Sequence, residues 1–153
     1  MTHLKEGVFP VLVVEDNPGD QRLAGILLGE AWPFEHGIEL HFAEDGQEAL
    51  IILQTKRFAL VVLDWRLPVL GNGEVLHQLR RQGIRVPVVV LSGSDRDHIG
   101  DDLDELAAGY LHKDQMNPST LQQAIADSLA LLGLTKPPMD LLVTTPLAVS
   151  SPA

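Results

Sequence analysis

The chain has 153 residues, is 45% hydrophobic and carries a formal net charge of −10, which predicts one acidic domain with enough apolar mass for a core. That charge repels phosphate backbones and excludes direct nucleic-acid binding, and no stretch approaches the roughly 18 apolar residues that a membrane helix needs. The absence of cysteine excludes disulfides, Cys-type zinc sites and thiol catalysis, and the start, Met1-Thr2-His3-Leu4-Lys5-Glu6, has no secretory signal, so the expected location is cytoplasmic.

Val11-Leu12-Val13-Val14 is β-branched enough for a first strand, inside an apolar run from Val8 that only Pro10 breaks. It ends in Glu15-Asp16-Asn17-Pro18-Gly19-Asp20, where Asn17 suits a helix cap and Pro18 a first turn. Leu23, Ile26, Leu27 and Ala31 give this helix an apolar face, and Pro33 stops it. Ile38 to Phe42 alternates and predicts a second, less buried strand. Asp45-Gly46 then opens a helix carrying Ala49, Leu50, Ile52 and Leu53. Ala59-Leu60-Val61-Val62-Leu63 is a continuous apolar run, the pattern of a strand covered on both faces, and it ends on Asp64.

Pro68, Gly71 and Gly73 mark a flexible loop, and Val75, Leu76 and Leu79 a third helix ending near Arg80-Arg81, two cations that suit its dipole. Val86 to Leu91 is a fourth strand, with Pro87 at its beginning, and runs into Ser92-Gly93-Ser94. Asp95 to Glu105 packs six acids around Ile99 and Leu103 and predicts a weak helix, with Gly100 costing about 1 kcal/mol relative to Ala. Gly109 to Lys113 is a fifth strand, and Asn117-Pro118 opens a last helix with Leu121, Ile125, Leu129 and Leu132 on one face.

Strand and helix alternate five times, which predicts an α/β doubly wound parallel sheet, with right-handed crossovers. The flavodoxin-like order 2-1-3-4-5 is the expected one, borrowed from known doubly wound folds and not fixed by these residues. The domain is expected over 8–134. From Thr135 a proline-containing tail, 135–153, holds Leu141-Leu142-Val143 and Leu147-Ala148-Val149 between prolines. It reads as a disordered end or as an extended arm laid on a partner.

In that order the carboxyl ends of the strands bring Glu15, Asp16 and Asp64 together, with Ser92 and Lys113 entering from the other side. Three carboxylates repel one another, and a hard divalent cation such as Mg²⁺ resolves the repulsion. A lysine and a hydroxyl beside them bind phosphoryl oxygens, so the set suits a phosphoryl group carried on a carboxylate. Taken singly, each residue has a plainer role: Ser92 as a helix cap, Lys113 as a strand-end lysine, Tyr110 as a sheet-edge aromatic. His112 has no partner histidine at ligand spacing.

Val14-Glu15-Asp16-Asn17, Leu63-Asp64-Trp65-Arg66-Leu67-Pro68, Leu91-Ser92-Gly93 and Gly109-Tyr110-Leu111-His112-Lys113 stand in the order and near the separations of one family. Over about Val8 to Leu134 the chain resembles the receiver domains of bacterial two-component response regulators. The resemblance implies that Asp64 accepts phosphate from a sensor histidine kinase. It further implies that Asp16 and Asp64 ligate Mg²⁺, that Glu15 acts through water, and that the Arg66 backbone carbonyl is another ligand. Lys113 would bind the phosphoryl group, and Ser92 and Tyr110 would switch, altering a partner-facing surface made of the 95–105 segment, the fifth strand and the last helix.

Phosphorylation and hydrolysis at Asp64 would be its only chemistry, and output would pass to an unknown downstream protein. The Asp16 to Asp20 run resembles single-domain regulators paired with phytochrome-type kinases, some of which dimerise through a C-terminal arm. The chain departs from the family where Asp114 replaces the usual proline after the lysine, so a trans bond and a reshaped loop are expected. The Pro68 to Gly73 loop is one residue longer than usual. A receiver-like scaffold or dimerisation module that no longer cycles phosphate is the alternative. A dehalogenase-type phosphatase would need an acid where Arg66 stands, and a flavodoxin would need hydroxyls where Glu15 and Asp16 stand.

Overall fold

The computed structural model describes residues 5–67, 69–70, 73–93, 103 and 105–144, with side chains from Gly7 onward. Five parallel strands, β1 (Lys5–Val14), β2 (His36–Ala43), β3 (Leu60–Asp64), β4 (Val88–Ser92) and β5 (Gly109–His112), form one sheet of order 2-1-3-4-5. Four helices, α1 (Pro18–Ala31), α2 (Gly46–Thr55), α3 (Glu74–Arg81) and α4 (Pro118–Ala130), cover it among the described residues. The doubly wound flavodoxin-like fold is therefore present. No helix among these residues is long and apolar enough to cross a membrane.

Burial explains the unbroken apolar runs. Leu12, Val14, Val61, Leu63, Val88 and Val90 face a core shared with α2 and α3. Their neighbours Val11, Val13, Leu60, Val62, Val89 and Leu91 face the opposite core beneath α1 and α4. Successive side chains point to opposite faces, so a strand buried on both sides needs an apolar residue at every position.

Helix starts follow their caps. The Asn17, Asp45 and Asn117 side chains accept from the amides of Asp20, Glu48 and Thr120 at 3.0, 2.8 and 3.0 Å. Thr120 Oγ1 in turn accepts from the Asn117 amide at 2.9 Å, completing a capping box. The apolar face of α1 is the expected one only in part, since Ala31 is buried and Leu27 packs partly buried against the same core. Ala24, Leu28 and Ala31 are buried, whereas Leu23 and Ile26 are 48% and 56% exposed. The stripe holding the small residues wins because it lets the helix backbone approach the sheet. A Cβ placed on neighbouring Gly25 would already lie 3.0 Å from a Leu40 methyl.

Pro10 lies inside β1 rather than before it. Its carbonyl accepts from Ala59 N at 2.8 Å, so its missing N–H faces the β3 side below the point where β3 begins. No ladder bond is lost there. The acidic segment expected over 95–105 lies outside the described residues except for Leu103 and Glu105, which are helical, with Leu103 buried.

After α4 the chain takes a course that neither reading of the tail included. Met139–Leu141 forms a 3-10 turn, and Leu141 is buried against Phe9 and Ala59. Val143 exchanges two backbone hydrogen bonds with Val8, at 2.8 and 2.9 Å, in the space beside β1 that β3 does not reach. Arg57 and Asp140 form an exposed ion pair at 2.7 Å. Leu147-Ala148-Val149 lies outside the described residues.

Candidate functional site

Glu15, Asp64, Ser92 and Lys113 sit where strands leave the sheet. Glu15 directly follows β1, Asp64 ends β3, Ser92 ends β4 and Lys113 directly follows β5. The register aligns them: Val14 pairs with Leu63, Asp64 with Leu91, and Ser92 with His112. The parallel pairing that builds the core thus delivers these side chains to one end of the molecule.

Asp64 is buried, 6% exposed, and its two oxygens have separate partners. Oδ1 accepts from the Arg66 amide at 3.0 Å, and Oδ2 from Lys113 Nζ at 3.1 Å. Lys113 also reaches Glu15 Oε1 at 3.4 Å, bridging two acids from strands that flank the switch point. Glu15 is buried, its Oε2 accepts from the Asn17 amide at 3.2 Å, and Asp16 beside it is exposed. Ligand oxygens of Glu15, Asp16 and Asp64 lie within 4.8 Å of one another, so a single metal ion can be held by all three.

The electrostatics show what this cluster lacks. Glu15 is pushed up to about 7, first by burial and then by the Asp64 charge, against the pull of the Asn17 amide and of Lys113. Burial favours loss of the Lys113 proton, but its hydrogen bond to Asp64 and the charges of Asp64 and Glu15 outweigh this and raise its pKa. One ammonium does not compensate two buried carboxylates. A divalent cation could supply the missing charge, and three oxygen donors are the chemistry that Mg²⁺ accepts.

Ser92 is fully buried at the end of β4. Tyr110, on β5 opposite Val90, is half-buried against the core on the α2 and α3 side. The Arg66 side chain is exposed, and its backbone enters the site through the amide contact to Asp64. After Lys113 the backbone forms a trans 3-10 turn over Lys113–Gln115, with the Asp114 amide donating to His112 Nδ1 at 3.1 Å. That contact occupies one ring nitrogen of His112. In the loop after Asp64, expected to be one residue longer than usual, Pro68, Gly71 and Asn72 lie outside the described residues.

Two supporting residues escaped the sequence reading. Gln21 Nε2 donates to the Glu15 carbonyl at 2.7 Å, tying the acidic turn to α1. A polar residue on the core side of the first helical turn was the only available sign. Gly73, expected in a flexible loop, is a buried left-handed position at φ +84°. A Cβ there would stand 2.2 Å from the indole of Trp65, the neighbour of Asp64. Only glycine lets the loop close over that ring.

Residues 11–126 match the response regulator receiver domain. The chain belongs to that family. Response regulator MprA of Mycolicibacterium vanbaalenii is 37% identical over 105 residues, a match that covers 67% of this chain and 43% of the relative. The chain therefore spans under half the length of that relative. Among solved structures, the bacteriophytochrome response regulator RtBRR superposes with a TM-score of 0.66 at 29% identity, covering 86% of this receiver protein and 85% of its own chain. The response regulator TrrA of Thermotoga maritima, solved in complex with Mg²⁺ and BeF, has a TM-score of 0.66 at 28% identity, covering 80% of this chain and all of its own.

Proposed function

We propose that this receiver protein takes a phosphoryl group onto Asp64 from a sensor histidine kinase and signals by a phosphorylation-dependent change in what it binds. One observation carries the reading: a buried Asp64 whose carboxylate is oriented by the Arg66 amide and Lys113, with Glu15 and Asp16 in reach of a shared cation. An Asp64 oxygen attacks phosphorus and forms an acyl phosphate, while the bond from phosphorus to the donor breaks. The donor is a phosphohistidine nitrogen, or the acyl oxygen of acetyl phosphate, and it departs with the electron pair. Lys113, already 3.1 Å from Asp64, follows the transferred charge onto a phosphoryl oxygen. Asp16, Asp64 and the Arg66 carbonyl would hold Mg²⁺ directly and Glu15 through water, and that charge would neutralise the acids and draw electron density from the phosphoryl oxygens.

Transfer to Asp64 and later hydrolysis are the only reactions in this reading. Ser92 then moves toward the phosphoryl group and Tyr110 follows, so that charge compensation at one end of the sheet biases a two-state surface for a downstream protein. The likeness to a bacteriophytochrome response regulator supports a phytochrome-type kinase as the donor. The acidic composition favours a protein target in the cytoplasm over nucleic acid or membrane. A homodimer through the tail is part of the same reading.

Asp64→Asn should abolish Mg²⁺-dependent labelling by acetyl phosphate and leave the unfolding midpoint close to that of the parent chain. Labelling that persists moves the acceptor elsewhere. Absence of labelling in the parent chain as well selects the scaffold that no longer cycles phosphate.

A further inference from the structure

At the opposite end of the sheet from the acidic cluster, a cavity of about 440 Å³ opens between the loops that precede β3 and β4 and the segment after α4. Its floor is apolar, with Leu53, Phe58, Ile84 and Leu141 among its walls, and its rim carries Lys56, Arg57 and Arg85. Among the described residues no carboxylate lines it. In a chain with 21 acids and 11 lysines and arginines, three cations gather at this opening, two of them with an acid beside them.

The three cations differ in what they already hold. Arg57 is paired with Asp140 at 2.7 Å, and Lys56 stands 3.8 Å from Glu39. Arg85 is exposed and makes no ion pair or side-chain hydrogen bond among the described residues. Its charge also bears on its neighbour Arg80, which buries its own guanidinium against the carbonyls of Leu106, Ile84 and Ala107. Arg80 is thus fully engaged and Arg85 is left to receive an anion.

We propose that this cavity binds a small amphipathic carboxylate, its apolar body on Phe58, Ile84 and Leu141 and its acid group on the Arg85 guanidinium. A guanidinium fork matches the two oxygens of a carboxylate, and the volume falls within the roughly 300–1,000 Å³ of small-molecule sites. A bare inorganic anion would leave the apolar floor uncovered, and an amphipathic cation would meet the Arg85 guanidinium, the cation at the rim with no acid beside it among the described residues. Leu134, Pro138 and Leu141 lie beyond the 11–126 family match, so the site depends on this chain's own tail and stands independently of phosphoryl transfer.

Calorimetric titration of the full-length protein with octanoate tests this, with octylammonium as the charge-reversed control. Octanoate should bind at one site and octylammonium should not. Arg85→Gln should weaken octanoate by about tenfold or more, the scale of one charge-assisted hydrogen-bonded pair. Arg81→Gln, a surface arginine paired with Glu74 and outside the cavity, should leave binding unchanged. Octanoate should also shift the NMR signals of Ile84 and Leu141 ahead of those of Val14 and Leu63 at the acidic end. Failure of octanoate to bind, equal binding of octylammonium, or full affinity in Arg85→Gln would each overturn the proposal.

Discussion

Glu15 shows how much of the site rests on a single protonation. In the metal-free protein its folded pKa of about 7 lies above the ordinary 4.5, so between those values the native state keeps a proton that the unfolded chain has released. Stability must therefore fall as pH rises through that window and level off above it. In the presence of a chelator, the denaturant midpoint of the parent should drop between pH 5 and 7.5 by more than that of Glu15→Gln, in which the carboxyl is gone. Adding Mg²⁺ should shrink the difference. Equal slopes in parent and variant would mean that Glu15 is not held in the buried pair.

Gly73 makes the complementary residue-scale point, since steric fit is in command there. Gly73→Ala forces a side chain to φ +84° and into the Trp65 ring, and should cost at least about 2 kcal/mol in chemical unfolding. Because Trp65 adjoins Asp64, its fluorescence should also report Mg²⁺ binding in the parent chain.

At the scale of the elements, what could be read from the chain depended on whether the signal was local. Helix starts at Asn17, Asp45 and Asn117 were legible because a cap is a contact between residues three apart. Asn117→Ala should accordingly cost about 1 kcal/mol through loss of its capping box. The doubly buried strands were legible because burial on both faces writes itself into every position. The packed face of α1 was legible only at Leu27 and Ala31, because two apolar stripes compete there and which one binds the sheet is decided by backbone approach, a tertiary matter. The site acids were legible by position, as strand-end groups. Gln21 and the Trp65 contact of Gly73 were not, since each acts on a partner that only the folded chain brings near. The same limit hid the course of the tail. Its prolines ruled out a helix, but nothing local in Leu141 points to Phe9 and Ala59. Leu141→Ala should cost about 2–4 kcal/mol in the folded monomer, the range for a buried leucine truncated to alanine. A loss below about 0.5 kcal/mol would mean that the tail contact is not held in solution.

Across the whole molecule, the sheet separates the two proposed sites by about its own height. The acidic cluster lies at the carboxyl ends of the strands, while the opposite end is built from strand entries, the tail and the cations around Arg85. Solution mass measured with and without beryllofluoride, in the full chain and in a chain ending at Gly133, reads both ends at once. A mass that depends on beryllofluoride only when the tail is present places assembly under the control of the acceptor. A mass unaffected by beryllofluoride in either chain argues against a phosphorylation-driven dimer.

The pairing of Val143 with Val8 has a quieter consequence. It occupies an amide and a carbonyl that would otherwise lie unguarded beneath the start of β3, like an open slot at the foot of a fence. A chain cut short of Val143 would expose that slot to any extended peptide, including a neighbour's. Shortened versions should therefore be stickier at high concentration, through self-association that no phosphoryl mimic reverses.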